Sequence, residues 1–348
     1  MLKRVRLYCE RKSAGWYRRI LSAFGKTVFV GVTGSCGKTT ATELIAAILS
    51  KHGRVRKCSH ENTLTRVCKT ILSVRPWDDF CVSELGTHGP GSIDEMSKLL
   101  RPDIGVVTNV GQDHYSSFRS LEATAAEKGK LLENLRKEGT AIINADDPYV
   151  LKMRDRTKAR VITYGLSEGA MVPGENVRSQ WPSRMSLDVC YDGKRTKVQS
   201  QLVGEHWAGV VLAGIAVGIA AGVSLELCVE AVEEFEPMVL RMSPYETADG
   251  ITFISDSWKA PLWAIDAAID FLRKAKADRK ILVIGSISDT PRSFYERNKV
   301  VIRQAVDVVD KIIFFGDNAH SALRGQADRK STSMNSSHRI RYRMTSAA

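Results

Sequence analysis

Apolar residues along the chain fall into short β-rich runs separated by stretches of helical spacing. The runs are Val28 to Val32, Phe80 to Ser83, Ile104 to Thr108, Ala141 to Asn144 and Arg160 to Tyr164. Between them, residues 38–51, 92–100 and 120–136 carry apolar side chains at helical intervals. Strands that alternate with helices require right-handed crossovers, which predicts an α/β fold around a mainly parallel sheet. In such sheets ligands gather beyond the carboxyl ends of the strands.

The pattern changes at both ends of this block. Upstream, Leu2, Val5, Trp16, Ile20, Leu21 and Phe24 are interleaved with Lys3, Arg4, Arg6, Arg11, Lys12, Arg18 and Arg19, which suits an amphipathic helix. Two readings stand for it: a contact with an anionic membrane face or an acidic partner, or a solvated helix packed on the body. Downstream, residues 184–203 predict a β-hairpin turning at Asp192-Gly193, followed by a buried helix over 208–221 and a second helix over 224–235 that stops before Pro237. A smaller α/β unit is then expected, with strands at 251–255, 281–285 and 312–315 and helices at 261–276 and 294–309. The expected division is 1–26 as a basic arm, 27–236 and 237–325 as two domains, and 326–348 as a polar tail. At 348 residues, two domains are also what the length of the chain calls for.

Charge alters this picture less than its total suggests. The formal net charge is +12, but residues 1–20 hold seven basic residues against one acidic, and residues 321–348 hold six against one. The remainder is close to neutral, which argues against a nucleic-acid partner. Seven cysteines, scattered and without a C-x-x-C pair, fit a reducing cytoplasm and exclude a zinc grip. No stretch has the length of a signal-peptide core or a membrane span.

The strongest local chemistry is Gly31-Val32-Thr33-Gly34-Ser35-Cys36-Gly37-Lys38-Thr39-Thr40, set between an apolar strand and a helix. Glycines let backbone N–H groups turn toward phosphate oxygens, Lys38 adds a mobile positive charge, Thr39 offers a hydroxyl to Mg²⁺, and the helix N-terminus adds its dipole. The shorter G-x-x-G-K-T form is present from Gly34, because Val32 occupies the position of the first glycine in the longer phosphate-loop pattern.

These residues resemble the TGS-x-GKTT loop of the Mur ligases. Ser83-Glu84-Leu85-Gly86, Gly91, Arg101-Pro102-Asp103, Thr108-Asn109-Val110-Gly111, His114, Phe118, Ser120-Leu121, Glu127-Lys128-Gly129 and Asn144-Ala145-Asp146-Asp147 extend the resemblance in order, closest to the MurF type. Gly204-Glu205-His206, Arg241-Met242, Asp256-Ser257 and Val283-Ile284-Gly285 continue it more weakly, so that it covers about 27–320. The resemblance implies a central ATP-binding domain followed by a smaller Rossmann-like domain. It implies an ATP-dependent ligase that activates a carboxylate as an acyl phosphate and joins it to an amine, with peptidoglycan-precursor synthesis as the setting. Gly34, Ser35, Cys36, Gly37, Lys38, Thr39 and Thr40 would bind ATP, joined by Arg241 and Asp256 from the second domain. Thr39, Glu84, His114 and Lys128 would serve Mg²⁺, Lys128 as a carbamate, and Lys38, Lys128 and His114 would be catalytic. By residue type alone, His114 and Lys128 would read as ordinary structural and solvated side chains.

Departures from the family pattern set further expectations. The phosphate loop begins about 30 residues in, which implies that the N-terminal domain holding the UDP-sugar precursor in the MurF type is missing. The family's His-Asn-x-x-Asn reads His206-Trp207-Ala208-Gly209-Val210, so adenine would be met differently, through stacking on Trp207. The expected D-S-Y-N-A-N-P reads Asp256-Ser257-Trp258-Lys259-Ala260-Pro261, and the second domain is expected to be incomplete. The substrates are therefore a carboxylate and an amine of unspecified identity. The alternative is a nucleotide-binding pseudoenzyme or scaffold that keeps the ATP cradle without turnover.

Overall fold

The computed structural model describes residues 2–112 and 115–315. They fall into two compact units, the first made of Met1–Arg178, Met185–Leu202 and His206–Glu236, the second of Ser179–Arg184, Val203–Glu205 and the chain from Pro237 onward.

In the first unit the strands are β1 (Val28–Thr33), β2 (Val55–Cys58), β3 (Phe80–Glu84), β4 (Ile104–Val107), β5 (Thr140–Asn144), β6 (Arg160–Gly165), β7 (Val172–Arg178), β8 (Ser186–Tyr191) and β9 (Lys194–Gln199). They form one sheet in the order β2-β3-β1-β4-β5-β6-β7-β8-β9. Pairing is parallel from β2 to β7 and antiparallel only for β7 with β8 and β8 with β9. Successive strands step from β1 out to β2 and back to β3, and the chain then crosses β1 to build the other side. The strand order thus reverses beside β1, and the crevice at its carboxyl end is the place where such a sheet binds ligands.

The helices are α1 (Leu2–Phe24), α2 (Lys38–Ser50), α3 (Leu64–Ser73), α4 (Ser92–Leu100), α5 (Tyr115–Phe118), α6 (Leu121–Glu133), α7 (Pro148–Leu151), α8 (Ala208–Ala220) and α9 (Leu225–Glu234). Alternation along the strands divides them between two faces. Phe29, Cys81, Val107 and Ile143 meet Ala14, Ile71, Ile93 and Leu131 of α1, α3, α4 and α6. Val30, Val32, Val82 and Ile142 are buried on the opposite face, where α2, α8 and α9 pack together. Gly214 lets α8 close on α2, since a Cβ there would stand 3.0 Å from Ile48. The apolar run at 208–220 is thus a buried helix, as its short length predicts.

Helix α1 packs on α3 and α4, and Arg18 fixes it in place. Its Nε donates to the Leu100 carbonyl at 2.7 Å, and Nη2 donates to the Arg101 carbonyl at 2.7 Å and reaches Asp103 at 3.5 Å. Its guanidinium lies 3.7 Å from the centre of the Phe29 ring. Burial pulls its pKa down to about 10, against the opposing charge of Asp103.

The second unit contains an antiparallel pair, β10 (Ser243–Glu246) with β11 (Thr252–Ser255), and a parallel pair, β12 (Ile281–Ile284) with β13 (Lys311–Phe314). Helices α10 (Ile265–Lys274) and α11 (Phe294–Ala305) cover the parallel pair through Ile265, Ile269, Leu282, Ile284, Val301 and Ile302. A reciprocal capping box between Ser293 and Glu296 starts α11. The rest of the expected second domain and the expected tail at 326–348 lie outside the described residues. Among the described residues, no helix is long and apolar enough to cross a membrane.

Candidate phosphate-binding site

Parallel register brings three strand tips side by side. Val32 pairs with Glu84 and Thr33 with Val107, so Gly34, Glu84 and Thr108 emerge together at the carboxyl edge. The loop after β1 turns through Gly34 (φ 153) and Gly37 (φ 76). Gly34 has no room for a side chain, since a Cβ would stand 1.8 Å from the Thr108 hydroxyl. The same hydroxyl donates to the Cys36 carbonyl at 2.7 Å and holds the loop against β4.

Asn109 completes the shape. Its side-chain oxygen accepts from the amides of Ser35 at 3.1 Å and Cys36 at 2.8 Å, and the Ser35 hydroxyl exchanges hydrogen bonds with Gly111. The 108–111 segment is braced in turn by Asn144, which donates to the Thr108 carbonyl at 2.8 Å, and by Asp147, which accepts from the Val110 amide at 2.7 Å.

Gly37 occupies the N-cap of α2 and supplies no capping side chain. The first amides of a helix have no acceptor within it, so those of α2 remain directed at the loop. Beside them the Thr40 hydroxyl is buried without a partner. Unsealed amides, an orphaned hydroxyl and a loop too close for any Cβ make a cradle that fits phosphate oxygens.

Two lysines close on this loop. Lys38 Nζ folds back to donate to the carbonyls of Gly34 at 2.8 Å and Ser35 at 3.3 Å. Lys128 of α6, 1% exposed, donates to the same Gly34 carbonyl at 2.9 Å. Its neighbour Glu127 accepts from the amides of Gly91 at 2.8 Å and Ile93 at 2.7 Å, which seals the start of α4 and fixes α6 lengthwise.

Glu84 is also 1% exposed. It accepts from Asn62 Nδ2 at 2.8 Å and from the His60 amide at 3.3 Å. Gly86 makes room for this, since a Cβ there would overlap the Asn62 side chain at 2.2 Å. Among the described residues no three His, Cys, Asp or Glu side chains converge as a metal cluster. A magnesium ion suits a site of this kind all the same, because it binds through one or two carboxylates, water and phosphate oxygens.

The first unit therefore assembles Gly34 to Thr40, Glu84 and Lys128 around one crevice. His114 lies outside the described residues. Arg241 and Asp256 belong to the second unit, where Arg241 sits between two left-handed residues, Leu240 (φ 63) and Met242 (φ 51). Its guanidinium lies 5.8 Å from the centre of the Trp258 ring. Partial desolvation pushes the Asp256 carboxyl above its ordinary range, against the pull of Arg241. Trp207 is buried, with its indole N–H unpartnered.

Sequence reasoning singled out neither Asn62 nor the Asn109 side chain as a member of the site. The polar run Ser59-His60-Glu61-Asn62-Thr63 between an edge strand and a helix was the available signal for the first. The second lay within a recognised segment, but its role depends on a contact across strands.

Residues 32–218 match the Mur ligase middle domain. The chain belongs to the Mur ligase family. A UDP-N-acetylmuramoyl-tripeptide–D-alanyl-D-alanine ligase of Synechocystis sp. is 31% identical over 293 residues, covering 82% of this chain and 60% of the relative. The enzyme of the same name from Mycobacterium leprae is 33% identical over 254 residues, 69% of this chain and 49% of the relative. The chain thus spans about half to 60% of the length of these Mur ligases. Among solved structures, MurF from Acinetobacter baumannii superimposes with a TM-score of 0.83 at 24% identity, over 93% of this chain and 72% of that one. MurF from Thermotoga maritima, solved in complex with ADP, gives 0.80 at 22% identity, over 91% and 72%. These likenesses establish the MurF-like fold, a mainly parallel sheet followed by a smaller α/β unit.

Proposed function

We propose that this Mur ligase is an ATP-dependent enzyme that joins a carboxylate to an amine, as the MurF-named relatives do when they add D-alanyl-D-alanine to a UDP-linked tripeptide. The observation that carries the reading is the convergence of Lys38 and Lys128 on the Gly34 carbonyl, beneath the unsealed N-terminus of α2. The ADP complex of the Thermotoga relative supports a nucleotide as the ligand.

The residues divide the work. Amides at the start of α2 and the Thr40 hydroxyl would take phosphate oxygens, while Lys38 would exchange the Gly34 and Ser35 carbonyls for the terminal phosphate. Thr39 and Glu84 would hold Mg²⁺, with His114 and a carbamylated Lys128 serving a second ion. When bound, Mg²⁺ would offset negative charge on the phosphoryl group that ATP passes to the substrate carboxylate, with ADP as the product that leaves. Asn62 would orient Glu84 toward the ion, and Asn109 would keep the loop open for the phosphates. Arg241 and Asp256 would contact the nucleotide from the second unit. Exclusion of water matters here, because an acyl phosphate hydrolyses where solvent reaches it.

Phosphate release from ATP, measured with candidate carboxylates and amines added singly and together, tests the reading. Release that requires both substrates, with an amide product, supports a ligase. ATP binding without amine-dependent release would instead identify a nucleotide-binding scaffold, a reading to which the substitutions Trp207 and Lys259 lend weight.

A further inference from the structure

Helix α1 runs for 23 residues, about 35 Å at helical rise, with Ala14, Arg18 and Leu21 turned into the body. Val5, Tyr8, Lys12, Trp16 and Arg19 recur every three or four residues and share the outward face. Their apolar members are large and open: Tyr8 is 62% and Trp16 67% exposed. Helix α3 lies alongside and, with the turn after it, exposes Lys69, Leu72, Arg75 and Trp77. A shallow groove joins the two helices, lined by Lys12, Ser13, Trp16, Tyr17, Leu72 and Arg75.

The cations of this face are not neutralised. Among the described residues Arg19, Lys69 and Arg75 have no carboxylate at ion-pair distance, and Lys12 stands over the Tyr8 ring at 5.5 Å. The neighbouring acids are already engaged: Glu10 by Arg6, Glu95 by Arg11, Asp78 by Arg56, and Asp79 by the Arg54 amide.

We propose that this face docks on an anionic lipid bilayer, with Tyr8 and Trp16 entering the headgroup layer and Lys12, Arg19, Lys69 and Arg75 resting over anionic headgroups. Aromatic rings with one polar end are favoured at that boundary, and clustered Lys and Arg are drawn to its negative potential. Rings spread along the helix with cations between them fit a laterally continuous surface better than a single acidic peptide, which would leave several of them uncovered. Arg18 keeps α1 on the body, so docking needs no release of the helix. The proposal goes beyond the ligase reading and does not depend on it.

Co-sedimentation of the full chain with vesicles tests it. The protein should pellet with vesicles rich in phosphatidylglycerol, stay in solution with phosphatidylcholine alone, and lose binding as salt rises. Lys12→Glu, Arg19→Glu, Lys69→Glu and Arg75→Glu together should lower partitioning at least about tenfold, with the far-UV spectrum and melting temperature retained as controls. Trp16→Ala, which changes no charge, should lower it several-fold, and with Arg75→Glu alone gives the same reading if the quadruple variant misfolds. Equal pelleting with both lipids, or equal pelleting of wild type and variants, would overturn the proposal. So would binding to polyglutamate without binding to vesicles, which would point to an acidic protein instead.

Discussion

Around Gly34 in the first unit and around Arg241 in the second, the same kinds of polar side chain are set in opposite surroundings. Near Gly34 the charged side chains Lys128 and Glu84 are buried and engaged, each 1% exposed, and Thr108, Asn109, Asn144 and Asp147 brace the loop and the 108–111 segment around the unpartnered Thr40 hydroxyl. Near Arg241 the groups are open, with Trp258 55% exposed and the Lys259–Asp289 ion pair, 2.9 Å apart, partly in water. A buried network is felt throughout when one member changes, whereas an exposed pair contributes little to stability. The two regions should therefore answer substitution on different scales.

Lys38→Ala should have the largest effect, a loss of about 100- to 1,000-fold in ATP-dependent phosphate release, as for removal of one charge-stabilising donor. Unchanged release would remove the crevice from consideration and the comparison with it. Arg18→Ala should follow, at about 3 kcal/mol of stability, since it leaves the carbonyls of Leu100 and Arg101 without their donor and opens a gap against the Phe29 ring, while Asp103 keeps the Phe29 amide and Arg136. Denaturant unfolding followed by fluorescence reads this, and Arg18→Met should recover part of the packing but not the hydrogen bonds.

Gly34→Ala tests whether the loop is as closely fitted as its contacts imply. The added Cβ meets the Thr108 hydroxyl, and an L residue is strained at φ 153, so a loss on the order of 1–3 kcal/mol is expected together with weaker nucleotide binding. Thr108→Ala in the same chain removes the nearest obstacle and should restore part of the binding measured by calorimetry. If the double variant is no better than the single one, backbone strain outweighs the collision.

The same contrast explains what could be read in the sequence. Buried parallel strands are near-continuous apolar runs, and the TGSCGKTT loop carries its chemistry in consecutive residues, so β1, β3, β4 and the cradle were legible. The edge strand β2, Val55-Arg-Lys-Cys, has one buried position and no alternation to betray it. Helix α3 begins at a Thr63 cap within a polar run and was missed for a similar reason. The bracing by Asn62, Asn109 and Asp147 depends on which strands lie side by side, which no local pattern encodes. In the second unit the helices were visible in outline, but β10, Ser-Pro-Tyr-Glu, is too short and polar to stand out.

The smallest expected effect lies in the second unit, and it bears most directly on whether that unit limits turnover. Lys259→Asn restores the amide of the family pattern and removes the ion pair with Asp289. Because that pair is partly exposed, stability should change by less than about 1 kcal/mol. The informative readout is amine dependence. A KM for the amine that changes while ATP binding stays constant would place Lys259 near the second substrate. Identical kinetics in both forms would make the exposed cluster around Arg241 a tolerant surface, and would leave the buried crevice of the first unit to set the rate.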